Sequence, residues 1–276
     1  MGIFVAILKA QITYAHFFRQ ALGLLYGGPR HGGFQNFTII KEVVTASIPD
    51  TLSFEKAAVI PLGISTSAVG LYEHLKLRLP PTTPTNKDSK EIVLIWGGAS
   101  SMGSTAIQLV AAAGYSIITT ASAKNHAYVK SLAPGSQITI FDHADSEVTS
   151  KVIAHVKTTG TEFAGAYDCI GDEKTTRACA EVIHAFGGGP LPSVLWPPNG
   201  LPEDVQAVFV NGGNPGLVPD HIGAKIWESF VPEALKNGML QAKPDPMVVG
   251  HGLEAIQEAM EIQKRGVSAR KVVVTL

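Results

Sequence analysis

The segment spanning residues 91–124 constrains the fold more than any other part of the chain. It begins with a short apolar run, Ile92 to Trp96, which suits a strand buried on both faces of a sheet. A turn at Gly97 and Gly98 follows, then a helix-forming stretch that ends near Gly114, and then a second apolar strand. Strand, turn, helix and strand form a βαβ unit, whose strands run parallel with a right-handed crossover.

The turn of this unit has the spacing of a dinucleotide-binding loop. In the G-x-G-x-x-G frame, Gly98 and Gly103 hold the outer positions and Ser100 stands in the middle one. A bound pyrophosphate would meet free N–H groups where the helix begins, and hydroxyl groups of Ser100, Ser101 and Ser104 are nearby. The alternative is a tight strand-to-helix turn without a ligand. The predicted cofactor-binding residues of the turn are Gly98, Ser100, Ser101, Met102 and Gly103.

The end of the second strand indicates which dinucleotide is bound. An NAD site has an acidic residue there for the ribose hydroxyls, but residues 121–125 contain no carboxylate. Ser122 and Lys124 can instead donate to a 2′-phosphate, and Asn125 lies beside them. Lys124 as a plain surface lysine is the alternative. The sequence therefore favours NADP(H) over NAD(H).

Several motifs together resemble the medium-chain dehydrogenase/reductase superfamily. The likeness is greatest to zinc-free fungal enoyl reductases that act in trans with polyketide synthases, and to their quinone-oxidoreductase-like relatives. It covers roughly Gly27 to Leu276. The motifs are GGASSMGSTAIQL and TASAKN in the βαβ unit, AAVIPLGISTSAVGLY (58–72), FDH (141–143), YDCIG (167–171) and GVSARKVVV (266–274).

This resemblance implies further site residues. Thr66 would face the cofactor near the nicotinamide, or its hydroxyl would simply bond a backbone carbonyl of its own helix. Val267 and Ser268 would approach the cofactor from the C-terminal part of the chain. His143 replaces a tyrosine that is frequent in the family, and either contacts a phosphate or is an ordinary loop histidine.

The rest of the chain continues the alternation of strands and helices. Strands are expected near residues 137–141, 164–170 and 205–210, separated by helical runs. This rhythm predicts an α/β fold with a doubly wound parallel (Rossmann) sheet. Ligands of such sheets bind beyond the carboxyl ends of the strands, where we expect His143, Ile170 and Gly171. Asp168 has no partner carboxylate, so a backbone-bonding structural role is predicted for it.

The chain departs from the family pattern before the Rossmann segment. We expect an atypical N-terminal helix plus a remnant of a GroES-like β-domain in residues 1–60, the NADP-binding domain in 61–250, and a returning helix and strand in 251–276. The remnant includes a strand expected within Phe37 to Val44. Either the protein is shortened, or the start of its gene is wrongly assigned. A cleft without one wall excludes water poorly, which puts catalysis in doubt.

Composition excludes several other classes. A net charge of −1 gives no basic footprint for nucleic acid. Two cysteines and scattered histidines predict no metal site, and a reducing, cytoplasmic location. Residues 1–26 are apolar but interrupted by Lys9, so no membrane span is expected; a helix packed on the body is favoured over an interfacial one.

The predicted function is an NADPH-dependent oxidoreductase that reduces an activated C=C bond, enoyl or enone, in secondary metabolism. Its partners would be a small or carrier-bound enoyl substrate and a polyketide synthase. No residue is assigned as catalytic. The alternative is a catalytically impaired cofactor-binding or partner-binding relic of the same fold, while an alcohol dehydrogenase is disfavoured because zinc ligands are missing.

Overall fold

The computed structural model describes residues 21–23, 29–36, 38–84 and 90–276. The first strands are short and lie outside the main sheet, and a later pair stands near the C-terminus. In chain order the strands are β1 (Ala21–Gly23), β2 (Thr45–Ser47), β3 (Glu91–Trp96), β4 (Ser116–Ala121), β5 (Ile138–Asp142), β6 (Glu162–Asp168), β7 (Gly189–Ser193), β8 (Val205–Phe209), β9 (Asp245–His251) and β10 (Arg270–Thr275).

The helices lie between these strands. They are α1 (Phe54–Ala57), α2 (Pro61–Ala68), α3 (Ser101–Ala112), α4 (His126–Ser131), α5 (Val148–Thr159), α6 (Glu173–Ala185), α7 (Asn214–Leu217), α8 (Val231–Asn237) and α9 (Ile256–Arg265). A π-helical turn, Val69–His74, extends α2, and a second one, Ile226–Phe230, precedes α8. Short 3₁₀ turns are formed by Pro29–His31, Glu42–Val44, Ala123–Asn125 and Leu253–Ala255.

The main sheet confirms the predicted doubly wound α/β fold. Its six strands are all parallel and lie in the order β5-β4-β3-β6-β7-β8. The chain therefore builds outward from β3 to β5, returns to the centre, and builds outward again from β6 to β8. The reversal creates a switch point at the carboxyl ends of β3 and β6, where a crevice for a ligand opens.

Both faces of the central strand are buried, as its unbroken apolar sequence predicted. Val93 and Ile95 point into one core cluster together with α2 and α3, while Ile92, Leu94 and Trp96 point into the cluster beneath α5 and α6. Alternate residues of a strand face opposite sides of the sheet, so a strand covered by helices on both sides must be apolar throughout.

Two other sheets have two strands each. β1 pairs antiparallel with β2, and β9 pairs parallel with β10. The prediction of a strand within Phe37 to Val44 is wrong. The described residues 38–41 are irregular and Glu42–Val44 is a 3₁₀ turn, so the strand begins only at Thr45. Ile39 and Val43 are exposed, so no core face holds that segment extended.

Much of the N-terminal prediction lies outside the described residues. Of residues 1–26, Ala21–Gly23 alone is described, and it is a strand rather than part of a helix. The other residues of that segment lie outside the description. Among the helices that the structure describes, none combines the length and the apolar character needed to cross a membrane.

Candidate active site

A cavity of about 590 Å³ lies at the switch point of the main sheet. Its walls come from α2, the turn between β3 and α3, the loops after β6, β7 and β8, and the segment that leads into β10. The crevice is therefore where the strand order places it. Six of the sequence-predicted residues line it: Thr66, Ser100, Ser101, Met102, Ile170 and Val267.

The turn before α3 is built around Ser100. This residue is the N-cap: its hydroxyl oxygen accepts the N–H of Gly103 at 3.0 Å, and its hydroxyl donates to the carbonyl of Cys169 at 3.2 Å. Ser104 is buried and its hydroxyl bonds Gly98 and Tyr128. Both hydroxyl protons are therefore used within the protein. The backbone N–H groups of Ser101 and Met102, at the first turn of the helix, have no acceptor among the described residues.

The two outer glycines of the pattern are required by packing. A Cβ added at Gly103 would meet the carbonyl oxygen of Gly97, and one added at Gly98 would meet the Thr119 hydroxyl. Gly97 itself has a φ of +84°, a left-handed conformation that favours glycine. The helix thus starts directly against the end of β3, and its N-terminus opens into the cavity.

Thr66 faces the turn from α2. Its side chain is buried, and its hydroxyl oxygen has no hydrogen-bond partner among the described residues. The hydroxyl does not bond a backbone carbonyl of its own helix, which was the alternative to a ligand contact. A buried unpaired hydroxyl costs about 1–3 kcal/mol. Since Thr66 also lines the cavity, a ligand bound there is the natural partner for this group.

The residues predicted to select the cofactor lie outside the cavity, at the ends of β4 and β5. Lys124 is exposed on the 3₁₀ turn after β4, and His143 is exposed just after β5. The Asn125 amide donates to the Ser268 hydroxyl at 2.9 Å and to the Ser122 hydroxyl at 3.4 Å. The structure therefore brings Ser122, Asn125 and Ser268 together at the carboxyl end of β4, the strand next to β3.

The end of β6 carries the predicted structural carboxylate. Asp168 is buried and accepts hydrogen bonds from the backbone N–H groups of Ile170 and Gly171, at 3.1 and 2.9 Å, and from the hydroxyls of Thr175 and Thr176. The predicted backbone-bonding role of Asp168 is confirmed. Burial raises the pKa of its carboxyl, although these four donors favour the charged form. Gly171 is held in the loop that presents Ile170 to the cavity.

The loop after β8 forms the opposite wall of the cavity. It contributes Asn211, Gly212 and Gly213, and Gly212 packs so closely on the Thr66 side chain that a Cβ at 212 would meet the hydroxyl. A side chain from a distant part of the chain holds this loop. Its Asn214 amide donates to the Glu73 carboxylate at 3.0 Å.

Glu73 connects that loop to the π-helical turn after α2. Its carboxylate also receives the Nε2–H of the buried His221 at 2.7 Å, and the Nδ1 of that ring accepts the N–H of Gly223 at 2.9 Å. The N–H donated to Nδ1 fixes the tautomer with the ring proton on Nε2. Burial would raise the pKa of Glu73, but the hydrogen bonds from His221 and Asn214 outweigh it and hold the pKa below its ordinary value.

The start of β10 forms a third wall of the cavity and contributes two cationic side chains that were not predicted from the sequence. Arg270 and Lys271 line the cavity from the start of β10. Burial lowers the pKa of Lys271 to about 8, and its ammonium has no hydrogen-bond or ion-pair partner among the described residues. Ala269, just before them, has a φ of +51° and also lines the cavity. The signal in the sequence was a pair of cations immediately before the apolar run 272–274.

Metal-binding side chains do not converge in this part of the molecule. Among the described residues, no three His, Cys, Asp or Glu side chains are close enough together to hold a metal ion. Both cysteines are free and buried: Cys179 packs in the core beneath α6, and Cys169 borders the cavity. Burial raises the pKa of both thiols well above the ordinary value.

The chain is similar to fungal enzymes along most of its length, although no protein-family model matches it. It is 44% identical over 248 residues to the trans-enoyl reductase himH of Aspergillus japonicus, covering 89% of this chain and 69% of that protein. It is 38% identical over 273 residues to the dehydrogenase pigH of Monascus ruber, covering 89% and 72%. A solved alcohol dehydrogenase superfamily protein from Novosphingobium aromaticivorans has the same fold, with a TM-score of 0.72 at 22% identity over 94% of this chain and 74% of that one.

Proposed function

This chain belongs to the medium-chain dehydrogenase/reductase superfamily, with fungal trans-enoyl reductases and dehydrogenases as its relatives, and we propose that it is an NADPH-dependent reductase of an activated C=C bond. The observation that carries the proposal is one cavity with two kinds of unsatisfied donor. Backbone N–H groups of Ser101 and Met102 open at one side, and the unpaired Thr66 hydroxyl faces them from the other.

The residues of the cavity fit a nicotinamide dinucleotide. Its pyrophosphate would take the two free N–H groups at the start of α3, where the helix dipole favours an anion. The close packing of Gly103 on Gly97 leaves that helix start open to a ligand. The Thr66 hydroxyl and the loop of Asn211, Gly212 and Gly213 would hold the nicotinamide end. Val267 approaches the same space from the C-terminal side.

NADP(H) is favoured over NAD(H) by the residues after β4. The 2′-phosphate would take donors from Ser122 and Lys124, Asn125 would hold the Ser122 hydroxyl in place, and His143 follows the next strand. No carboxylate stands at this strand end to accept the ribose hydroxyls of NAD. Ser268 belongs to the same group, since Asn125 donates to it.

The protein's part in the reaction is to bind, orient and shield. A bound NADPH would supply a hydride to the β-carbon of the substrate, and a proton from solvent would complete the reduction at the α-carbon. Negative charge builds on the carbonyl oxygen of the enoyl or enone group, and donors aimed at that oxygen lower the barrier. Besides the backbone N–H groups at the start of α3, the Thr66 hydroxyl and the Lys271 ammonium line the cavity without a partner among the described residues. Apolar side chains of the loops after β6 and β7 line it and would limit the access of water to a bound substrate.

The relatives' names suggest the setting of the reaction. A trans-enoyl reductase of Aspergillus japonicus is among them, which supports a small or carrier-bound enoyl substrate, a polyketide synthase as partner and a role in secondary metabolism. A cytoplasmic location is part of the same proposal and rests on the low cysteine content. The division of the chain into an N-terminal remnant (1–60), an NADP-binding domain (61–250) and a C-terminal helix and strand (251–276) also belongs to this proposal.

Thermal unfolding of the purified protein with NADPH, NADH or no nucleotide tests the proposal. At a hundred times its dissociation constant, a ligand that binds only the folded state adds about 2.7 kcal/mol of stability. We expect NADPH to raise Tm more than NADH, and Lys124→Ala to narrow that difference. A folded sample that responds to neither nucleotide would refute cofactor binding. NADPH binding without consumption of NADPH in the presence of enones would instead identify a non-catalytic relic.

A further inference from the structure

Trp196 is the most exposed large apolar side chain among the residues the structure describes. It is 79% exposed, whereas Trp96 and Trp227 are 4% and 0% exposed and belong to the core. Its indole ring stacks on the ring of Phe209, with centroids 4.6 Å apart and planes inclined by 17°. An aromatic ring of this size, held in place but left in water, is typical of a binding surface.

This ring is continuous with the cavity. Phe209 and Leu195 line the cavity, and so does Ile170. Leu195, Ile170 and Trp196 are all more than one third exposed. Four side chains therefore form an apolar rim of the cavity: Ile170, Leu195, Trp196 and Phe209. The rim lies where β6, β7 and β8 end, so it faces the ligand side of the sheet.

The strand order fixes which part of a ligand would reach the rim. The free N–H groups of Ser101 and Met102 follow β3, and the residues that favour NADP follow β4 on one side of it. β6, β7 and β8 lie on the other side, in that order. A dinucleotide with its phosphates at β3 and β4 therefore extends toward β6 and β7. Ile170, just after β6, adjoins that path, whereas Phe209 at the end of β8, with Trp196 stacked on it, lies beyond the dinucleotide, where the second substrate would enter.

We infer that the apolar rim binds the acyl chain of the substrate, and that Trp196 sets the preference for a long apolar chain. The inference rests on the proposed function, because it needs the dinucleotide in the cavity. An acyl chain is the occupant favoured over a second copy of the protein, since three of the four rim side chains line the cavity itself. An extended chain can lie on Trp196 and Phe209 and continue into that space, where its reacting double bond is held.

Fluorescence quenching tests this contact directly, without turnover. Acrylamide reaches Trp196 but not the two core tryptophans, so the quenchable emission reports on Trp196. The ligands are the octanoyl and acetyl thioesters of N-acetylcysteamine, which are saturated and unreactive, added to the protein with NADP⁺. We expect the octanoyl thioester to protect Trp196 from acrylamide and the acetyl thioester to leave quenching unchanged. The Trp196→Phe variant provides the background from Trp96 and Trp227.

Kinetics of two variants give a second readout. Trp196→Ala is expected to raise KM for the octenoyl thioester by roughly threefold to tenfold, the range that a stacked aromatic contact supports. The value of kcat, KM for the crotonyl thioester and the Kd for NADPH should stay the same. Trp196→Phe keeps an aromatic ring on Phe209 and should recover most of the octenoyl affinity. Because Trp196 is exposed, neither variant should misfold, and equal thermal unfolding of the apoproteins checks this.

Each outcome separates the inference from the proposed function. A sample that binds NADPH but shows unchanged Trp196 quenching with octanoyl thioester contradicts the inference alone. Protection that needs no thioester and grows with protein concentration assigns the rim to a second copy and also overturns it. A sample that binds no nucleotide contradicts the proposed function first. An octenoyl-specific rise of KM in Trp196→Ala, with NADPH binding intact, supports both.

Discussion

The turn after β3 and the loop after β8 line the same cavity but are held in place differently. In the turn, most of the bonds are local: the Ser100 hydroxyl accepts the N–H of Gly103, and the N–H of Ser100 donates to the carbonyl of Gly97 at 2.9 Å. In the loop, the bonds come from distant parts of the chain. Glu73 holds Asn214, and the Lys41 ammonium donates to the carbonyl of Gly216 at 2.8 Å.

The turn and the loop differ in how much of the chain must be folded before each of them can form. The turn depends mainly on its own glycines and on β4, and its longest hydrogen-bonded separation is the 69 residues between Ser100 and Cys169. The loop needs contacts across sequence separations of 141 to 175 residues. Long-range contacts form only when the whole domain is assembled. The turn is therefore a local device for binding an anion, and the loop is a tertiary device for shaping the cavity.

Gly103→Ala should produce the largest effect, and it acts on the local device. The added Cβ meets backbone of Gly97, which cannot rotate away, so the helix must move off β3. We expect a loss of about 3 kcal/mol in unfolding free energy, measured in urea, and loss of NADPH binding. Ser101→Ala at the same turn is the control for stability, because the Ser101 hydroxyl has no partner among the described residues. Wild-type stability and binding in Gly103→Ala would contradict the packing argument.

Glu73→Ala breaks the tertiary device. It removes the acceptor of the His221 ring proton and of the Asn214 amide, and should cost about 2 kcal/mol of unfolding free energy. Hydrogen exchange at the amides of residues 211–216 should become faster, and NADPH affinity should fall. Gly103→Ala should leave that exchange unchanged, which separates the two devices.

Asp204→Ala is the matched control for Glu73→Ala. It removes an exposed carboxylate that pairs with His184 at 2.9 Å, away from the cavity. Exposed pairs contribute about 0–1 kcal/mol, so its effect on stability should be small and its effect on NADPH binding absent. If the two variants behave alike, then Glu73 has no positioning role.

The same difference explains what the sequence allowed us to predict. The parallel sheet, the glycine turn and the role of Asp168 depend on spacing over a few residues, and the structure confirms the sheet and Asp168. The strand β7 was missed because Pro190 and Pro192 lack the N–H that a strand interior normally donates.

The remaining parts of the candidate site depend on tertiary packing. Nothing in the sequence around Glu73 indicates that His221 will donate to it, because the two residues meet only through the assembled domain. The stacking of Trp196 on Phe209 likewise joins the ends of two neighbouring strands. Lys271 was not singled out from the sequence, and only the fold around it shows that it lines the cavity.

Lys271→Met tests the third wall through its pH dependence. Burial lowers the pKa of Lys271 from 10.5 to about 8, so the folded state disfavours the charged amine. The charge therefore costs stability below about pH 8, and the cost fades as the pH rises toward 10.5. We expect Lys271→Met to raise the unfolding free energy by roughly 1–2 kcal/mol near pH 7, with a smaller gain near pH 10. An equal gain at both pH values would contradict this, and the exposed Lys264→Met provides the control.

Thr66→Val should have the smallest effect, and its sign is informative. Valine has the shape of threonine without the hydroxyl, and the Thr66 hydroxyl is buried and unpaired in the protein alone. Its removal should raise apoprotein stability by up to about 1 kcal/mol, whereas NADPH affinity should fall severalfold because a ligand contact is lost. The neighbouring Ser67→Ala is the matched control, since the Ser67 hydroxyl donates to the carbonyl of Met102 at 3.1 Å. That variant should lose stability. If Thr66→Val lost stability as well, its hydroxyl would already have a partner in the protein, and the case for a ligand contact at Thr66 would fail.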